Sequence, residues 1–495
     1  MANLIVCCDG TWNSPDNKDD GELAPTNVRQ LFHAVDLTST TSQKTRYQSG
    51  VGSGGIFDKI AGGTVGLGIS EDIRDCYQWL ATHYHEGDKI YLFGFSRGAF
   101  TARSLAGMIG KFGIVKLPDK EQNKTIKRLY RQGYRKGQAI EDFAQDLSFY
   151  QDSKNIEFIG VWDTVGALGV PDDKVILNLF DNAKQYRFHD TKLGKHVSYA
   201  RQALAIDEVR GSFTPTLWDH ENDNERIKQL WFPGVHSDVG GGYKENQLSD
   251  IALKWMIEEA ADKGVVFKSA IVAQIKGDHQ GMLHDSHVGA MKVLVSAPRS
   301  IPSFLSDVDK FHPSAMKRQE QPPIQQGDYH QIRTLNHAVI LDIYAKHPWN
   351  WTGIYLEAGK KYQFTATGEW MDASIAAGPH GTDDNDFHFG ELIHLAGSAV
   401  GKLEEGFKSL FGIEQADFFG TKRVEHADWM SLIGAITDGG NPKPDGTHER
   451  LTYFEIGDFC LFEPEKSGYL YCFANDAWGF YGNNRGFVTL TVQAI

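Results

Sequence analysis

The chain predicts an α/β fold with a mainly parallel sheet, followed by an all-β sandwich, and two patterns carry that prediction. Up to about residue 330, short apolar runs alternate with helical stretches, as in a parallel sheet covered on both faces. Beyond that point the helical periodicity gives way to short strand-like segments bounded by Gly, Asp and Asn. A length of 495 residues also exceeds what one ordinary core accommodates. These patterns place one domain at 1–320 and a second at 335–495. Between them, the polar segment 311–334 with Pro322-Pro323 reads as a linker.

The elements follow in order. Leu4–Cys8 reads as a strand. Ser70–His85 reads as a helix, because Ile73, Tyr77 and Leu80 fall at i, i+4 and i+7 on one face. Lys89–Phe93 is a buried strand, and Ser96–Ile109 a helix rich in Ala and Leu. Ile156–Val161 is a strand ending at Trp162-Asp163-Thr164, and Ile227–Val235 another ending at His236. In the second half Val339–Tyr344, Lys361–Ala366, Phe459–Glu463, Tyr469–Ala474 and Gly486–Val492 read as short strands.

Bulk properties narrow the function. An apolar fraction of 41% with 12% aromatics fits a folded protein, and a formal net charge of −14 argues against a nucleic-acid partner. None of the five cysteines forms a CxxC pair, which weakens metal-thiolate and redox readings. Cys460 and Cys472 fit two small buried residues better than a disulfide across a hairpin. The first residues lack a basic n-region and a long apolar h-region, and no stretch approaches the ~20 apolar residues of a membrane span. The expectation is synthesis in the cytoplasm, with export left to a route that needs no signal peptide.

The sharpest motif is Gly94-Phe95-Ser96-Arg97-Gly98, a GxSxG between a strand and a helix. In that context the tight turn lifts the serine Oγ clear of the sheet and aims a helix N-terminus at it, so Ser96 reads as a nucleophile. Its base and orienting acid are expected at the carboxyl ends of later strands. Asp163, after an apolar run, is the best acid, and His236, before a glycine cluster, the best base. His189, His196 and His220 lie among charged residues and read as solvated. Asp238 is a rival acid or a hydrogen-bond partner to the base. For the oxyanion, the Arg97 amide and those of Gly10 and Thr11 are the expected donors, with Asp9 orienting the loop.

With these residues in place the resemblance becomes specific. The DGTWN start, GVGSGG at 50–55, GDKIYLFGFSRGAFTARSLAGMI at 87–109, VWDTVGALG at 161–169, ALAIDEVRGSF at 203–213 and WFPGVHSDVGGGY at 231–243 resemble the DUF2235 hydrolase family. That family includes type VI secretion phospholipase effectors of the Tle1 kind. The resemblance covers roughly residues 2–310 and implies an α/β-hydrolase fold with Ser96, Asp163 and His236 as triad. It also implies a type VI-like export route, with a secretion-apparatus or immunity protein as partner. The apolar, glycine-rich 54–69 is a candidate lid over a lipid site. The basic stretch 124–138 reads as a solvated helix face, with a membrane surface as the alternative.

In the second domain, FANDAWGFYGNNRGFVTLTV at 473–492 offers oxygen donors from Asp476, Asn483 and Asn484, and a backbone carbonyl such as that of Phe480. This stretch, with GIYLEAGKKYQFTATGEW and LIGAITDG, resembles the PA-I type calcium-dependent galactophilic lectin. The resemblance implies Ca²⁺ and a sugar ligand, a further coordinating carbonyl near Asp372, and His380 and Asp383 as candidate sugar contacts. The combined expectation is a serine hydrolase of carboxylic esters, of phospholipase type, needing no cofactor for the chemistry itself. The alternatives are a carbohydrate esterase targeted to glycans by the second domain, and a glycan-binding protein with an inactive hydrolase domain.

Overall fold

The computed structural model describes residues 1–10, 16–50, 65–117, 121–165, 192–219, 225–289, 291, 295–382, 422–442, 449 and 451–495. Six strands form the first sheet: β1 (Asn3–Cys8), β2 (Gln43–Gln48), β3 (Lys89–Phe95), β4 (Ile156–Trp162), β5 (Val197–Ala205) and β6 (Ile227–Phe232). Their order is β6-β5-β4-β3-β1-β2, and every neighbouring pair is parallel. The connection order reverses at β1, which leaves a crevice between the carboxyl ends of β1 and β3.

Helices cover both faces. Helix α1 (Asn27–Ala34) and a later helix, Gln247–Asp262, enclose Val28, Leu31, Phe93, Phe158 and Met256. Helices α2 (Val65–His83) and α3 (Arg97–Phe112) enclose Ile73, Leu80, Leu92, Leu105 and Ile159 on the other side. Strands buried on both faces read as continuous apolar runs, and all six residues of β1 are buried. Strand β5 escaped that reading because two of its buried residues are polar. Arg201 pairs with Glu259, and Gln202 is hydrogen-bonded to Thr164 and Gln229. The run expected to continue to Val235 stops at Phe232, because Gly234 takes φ +120° and Val235 caps the next helix.

The second part pairs two antiparallel sheets. Its strands are β7 (Val339–Tyr344), β8 (Asn350–Leu356), β9 (Tyr362–Asp372), β10 (Ile375–Ala377), β11 (Leu432–Ile436), β12 (Thr452–Glu455), β13 (Phe459–Phe462), β14 (Gly468–Ala474) and β15 (Asn484–Ala494). One sheet runs β7-β15-β9-β10 with β13 on β9; the other runs β8-β14-β11-β12. Ile354, Phe364, Trp370, Leu432, Leu470 and Leu490 pack between them. Cys460 and Cys472 do not face each other across a hairpin, since β13 and β14 belong to different sheets, and both thiols are free.

The segment 311–334 is not a linker. Pro313–Glu320 is a helix capped by His312, Pro322-Pro323 follow its end, and Arg318 is wholly buried with its guanidinium on the carbonyls of His279 and Gly281. Arg318 finds these carbonyls only in the folded chain, which composition alone does not reveal. A shared apolar cluster of Leu204, Trp231, Ile301, Phe304, Phe311 and Tyr469 joins the two parts. Among the described residues no helix is long and apolar enough to cross a membrane.

Candidate active site

Strand β3 ends at Phe95 and α3 begins at Arg97, leaving Ser96 at φ +56°, ψ −123°. Few non-glycine residues adopt that conformation, and here its amide is held by the Trp162 carbonyl at 3.1 Å. The flanking glycines are required by close approach. A Cβ at Gly94 would meet the Gly98 carbonyl and Ala99, and one at Gly98 would strike the carbonyls of Cys8 and Asp9. The first turn of α3 therefore lies directly on the end of β1.

Asp163 directly follows β4 and is fully buried, with its amide on the Ala203 carbonyl at 2.8 Å. Its Oδ2 accepts from His236 Nδ1 at 2.5 Å. His236 opens the short helix His236–Gly240, and its ring lies 4.6 Å from that of Phe95, the residue before Ser96. Phe213 meets the ring edge-on at 5.0 Å. With Nδ1 committed to Asp163, Nε2 is the imidazole nitrogen left to receive a proton. The structure thus brings Asp163 and His236 together and sets the ring of the residue preceding Ser96 against the imidazole at a tilt of 32°.

The electrostatics fit a base held neutral beside a fixed anion. Burial lowers the pKa of His236, and the pull of Asp163 in the other direction does not overcome it. Burial alone would raise Asp163, but the charge and hydrogen bonds of Arg299, then those of His236, hold its carboxyl well below the usual range. Glu208, also buried, is brought down to about 2 chiefly by Arg210 against the same desolvation. It accepts from Arg210 Nε and Nη2, both at 2.8 Å, from Ser286 Oγ at 2.8 Å and from the His236 amide at 3.2 Å.

Three of these partners, Arg299, Glu208 and Arg210, have no role in the sequence reading. Glu208 and Arg210 sit inside the ALAIDEVRGSF motif, which could have drawn attention to them. Arg299 lies 136 residues beyond Asp163 on irregular chain, with no local signal.

Other expectations need correction. Asp238 is not the acid of His236. It binds the backbone amides of Val235 and His284, both at 3.1 Å, and His284 Nδ1 at 2.6 Å. The Gly10 amide donates to the Asp9 carboxylate at 2.7 Å, which takes it away from an oxyanion. The Asp9 carboxylate also accepts from the Thr26 and Tyr47 hydroxyls, at 2.5 and 2.7 Å. Thr11 lies outside the described residues, as do residues 54–64 of the candidate lid, His189 and His220. Arg97 is the first helical residue of α3, where amides lack intrahelical acceptors. His196 is half-buried rather than solvated, with Nε2 at 3.0 Å from the Ala106 carbonyl. On the basic stretch Lys124, Lys127, Arg131 and Lys136 are exposed while Leu129 and Tyr130 are buried.

A second cluster lies in the sandwich, where β9 ends at Asp372 opposite Asn484 of β15. Asp476 Oδ2 accepts from Asn484 Nδ2 at 2.8 Å, and Asp372 Oδ1 from Asn483 Nδ2 at 2.5 Å. The oxygens of both amides, Asn483 Oδ1 and Asn484 Oδ1, are buried without a partner. Burial and then the charge of Asp372 push Asp476 up to about 7. The Phe480 carbonyl accepts the Asn483 amide at 3.2 Å. His380 is exposed, 3.5 Å from Asp458, and Asp383 lies outside the described residues.

Comparison with known proteins gives the following. Residues 2–259 match the model of the T6SS phospholipase effector Tle1-like catalytic domain. An uncharacterized protein of Saccharomyces cerevisiae is 29% identical over 235 residues, 43% of this chain. The chain spans about a third of that relative's length, 32%. A solved structure of the Tle1 effector bound to the VgrG spike of the type 6 secretion system is 22% identical, with a TM-score of 0.28, covering 50% of this chain and 52% of that one. The N-terminal, PllA-like lectin domain of EclA is 16% identical, with a TM-score of 0.19, covering 32% of this chain and 95% of that one.

Proposed function

The chain belongs to the family of Tle1-like catalytic domains of type VI secretion phospholipase effectors, and from that premise we propose that it is a serine esterase acting on phospholipid acyl esters. The observation that carries the reading is the buried Asp163–His236 pair at 2.5 Å, packed against Phe95, the residue before a serine on a strained strand-to-helix turn. In the proposed cycle His236 Nε2 takes the Ser96 hydroxyl proton as Oγ attacks the ester carbonyl. The oxyanion that forms is met by the Arg97 amide at the start of α3. His236 then gives the proton to the leaving alcohol, and a water molecule repeats the sequence to free the acid. Asp163 keeps the imidazole in the tautomer that exposes Nε2 and stabilises the imidazolium.

For the sandwich the proposal is a bound calcium ion that serves sugar recognition. Two buried carboxylates within each other's field, and two buried amide oxygens with no donor, form an oxygen-rich set suited to a hard cation. Asp372, Asp476, Asn483 and Asn484 are the residues that would hold it. A cation would supply the positive charge that this set lacks and offer remaining coordination positions to sugar hydroxyls. Delivery by a type VI-like apparatus, and an immunity protein in the producing cell, complete the proposal.

The test is hydrolysis of phosphatidylglycerol and phosphatidylethanolamine vesicles, set beside acetylated oligosaccharides, by the wild type and Ser96→Ala, with and without calcium. Fatty-acid release that falls at least ~10⁴-fold in Ser96→Ala supports the reading. Acetate release alone would replace it with a carbohydrate esterase, and fatty-acid release equal in both proteins would remove Ser96 from the mechanism.

A further inference from the structure

Asp163 is gripped from a part of the chain that lies beyond residue 259, where the family match ends. Arg299 Nη1 donates to Asp163 Oδ1 at 2.7 Å and Nη2 to Oδ2 at 2.8 Å, a two-pronged charge-assisted pair. The same nitrogens reach the carbonyls of Ala205, at 2.7 Å, and Phe213, at 2.6 Å. Nε is buried without a partner. The guanidinium is thus oriented for the carboxylate, the end of β5 and the turn at Phe213, not for its own full satisfaction.

The strap that carries Arg299, residues 295–304, is fastened on two sides. Toward the first sheet, the Gly211 amide donates to Val295 at 3.0 Å and the Ala297 amide to Val209 at 2.6 Å. Toward the sandwich, Trp349 Nε1 donates to Ser296 Oγ at 3.0 Å, and the Phe304 amide donates to Tyr469 Oη at 2.7 Å. Ile301 and Phe304 also pack with Tyr469 in the shared apolar cluster. Trp349 precedes β8 and Tyr469 lies on β14, so both fasteners belong to the sandwich.

Resting on the serine-esterase reading, we propose that Arg299 is a positioning residue for the Asp163–His236 pair and that the sandwich holds it in register through Trp349 and Tyr469. The second domain is then part of the catalytic apparatus, in addition to whatever it binds. An Asp carboxylate already held by a fork cannot swing away from the imidazole as the proton moves. Its fixed negative charge is also partly offset, which keeps His236 from becoming too basic. The charged groups facing the pair are Arg299, Glu208 and Arg210, and of these only Arg299 touches the Asp163 carboxylate.

A fluorophosphonate probe reads this without knowledge of the natural ester. Ser96 Oγ bonds to phosphorus as fluoride leaves, and the serine proton passes to His236. The second-order labelling rate is measured against pH for wild type, Ser96→Ala, Arg299→Gln, Arg299→Lys, Trp349→Phe and Tyr469→Phe. Arg299→Gln is expected to slow labelling about 10- to 100-fold and to move the acidic midpoint up by about one pH unit. The sign follows from removing a cation beside the Asp163–His236 pair, since protonation of either partner becomes easier. Arg299→Lys restores part of both effects.

Trp349→Phe and Tyr469→Phe keep an aromatic ring and lose the hydrogen bond to the strap. They are expected to slow labelling about 3- to 10-fold, with the midpoint displaced in the same direction. A midpoint unmoved in Arg299→Gln overturns the positioning role. Sandwich variants with wild-type rate and midpoint overturn the role of the second domain. Should Arg299→Gln fail to fold, Arg299→Lys and the two sandwich variants decide the matter by the same criteria. A Ser96→Ala protein that still labels refutes the esterase reading itself, whereas a silent Ser96→Ala with an unmoved Arg299→Gln profile refutes only this proposal.

Discussion

Asp163 and Asp476 are both buried carboxylates, and the contrast between them separates a finished site from one that needs something added. Asp163 meets Arg299 and His236 inside the protein, and its pKa is held low in spite of burial. Asp476 meets Asn484, the Ala477 amide and the field of a second carboxylate, and its pKa is pushed up to about 7. A buried anion with its counter-charge built in is ready for chemistry. A buried acid pair beside orphaned amide oxygens is complete only with a cation or a proton.

The contrast breaks most sharply under substitution of each aspartate by asparagine. Asp163→Asn keeps the shape but loses the charge that orients the imidazole, so turnover is expected to fall about 10⁴-fold at neutral pH. Calcium should not restore it. A loss of less than about tenfold would mean that Asp163 serves the fold and another group orients His236. Asp476→Asn tests the other half. In the wild type, calcium at a hundred times its dissociation constant is expected to stabilise by about 2.7 kcal/mol, seen as a rise in melting temperature. In Asp476→Asn that rise should largely vanish, and an undiminished rise would place the ion elsewhere.

The two sites were also legible to different degrees. Ser96, Asp163 and His236 each stand at the end of a short apolar run, so a strand-end argument reaches all of them without tertiary knowledge. Arg299 does not, because its segment has no periodicity and its partner is far away in the chain. The same limit explains the segment 311–334, whose polar composition resembles a linker while its Arg318 is buried on backbone carbonyls. Local patterning identified apolar strands such as β1, β3 and β14, although the fully buried, apolar β11 was not among the strands it identified. It missed β5, where Arg201 and Gln202 are buried on specific partners. It also assigned the Gly10 amide to an oxyanion, when the adjacent Asp9 carboxylate is near enough to take it.

The smallest effect, and the one that separates the two carboxylates by sign, is the pH dependence of stability. Asp163 titrates below its unfolded value, so its contribution is present above the ordinary aspartate pKa and is lost only in strong acid. Asp476 works the other way. Its folded pKa is about 7, against 3.8 for the ordinary group, so its contribution is present at low pH and is lost as pH rises through 7. In chelator, the protein is therefore expected to lose about 2 kcal/mol from this group between pH 5.5 and 8. Asp72, also raised to about 7, and Asp250, raised to about 6, add trends of the same sign, so the informative quantity is the difference between wild type and Asp476→Asn. That difference should shrink when calcium is added at pH 8, because the ion replaces the proton as the neutralising charge. Parallel melting-temperature profiles for the two proteins in chelator would show that Asp476 is already neutralised from within, and the distinction between the two sites would fail.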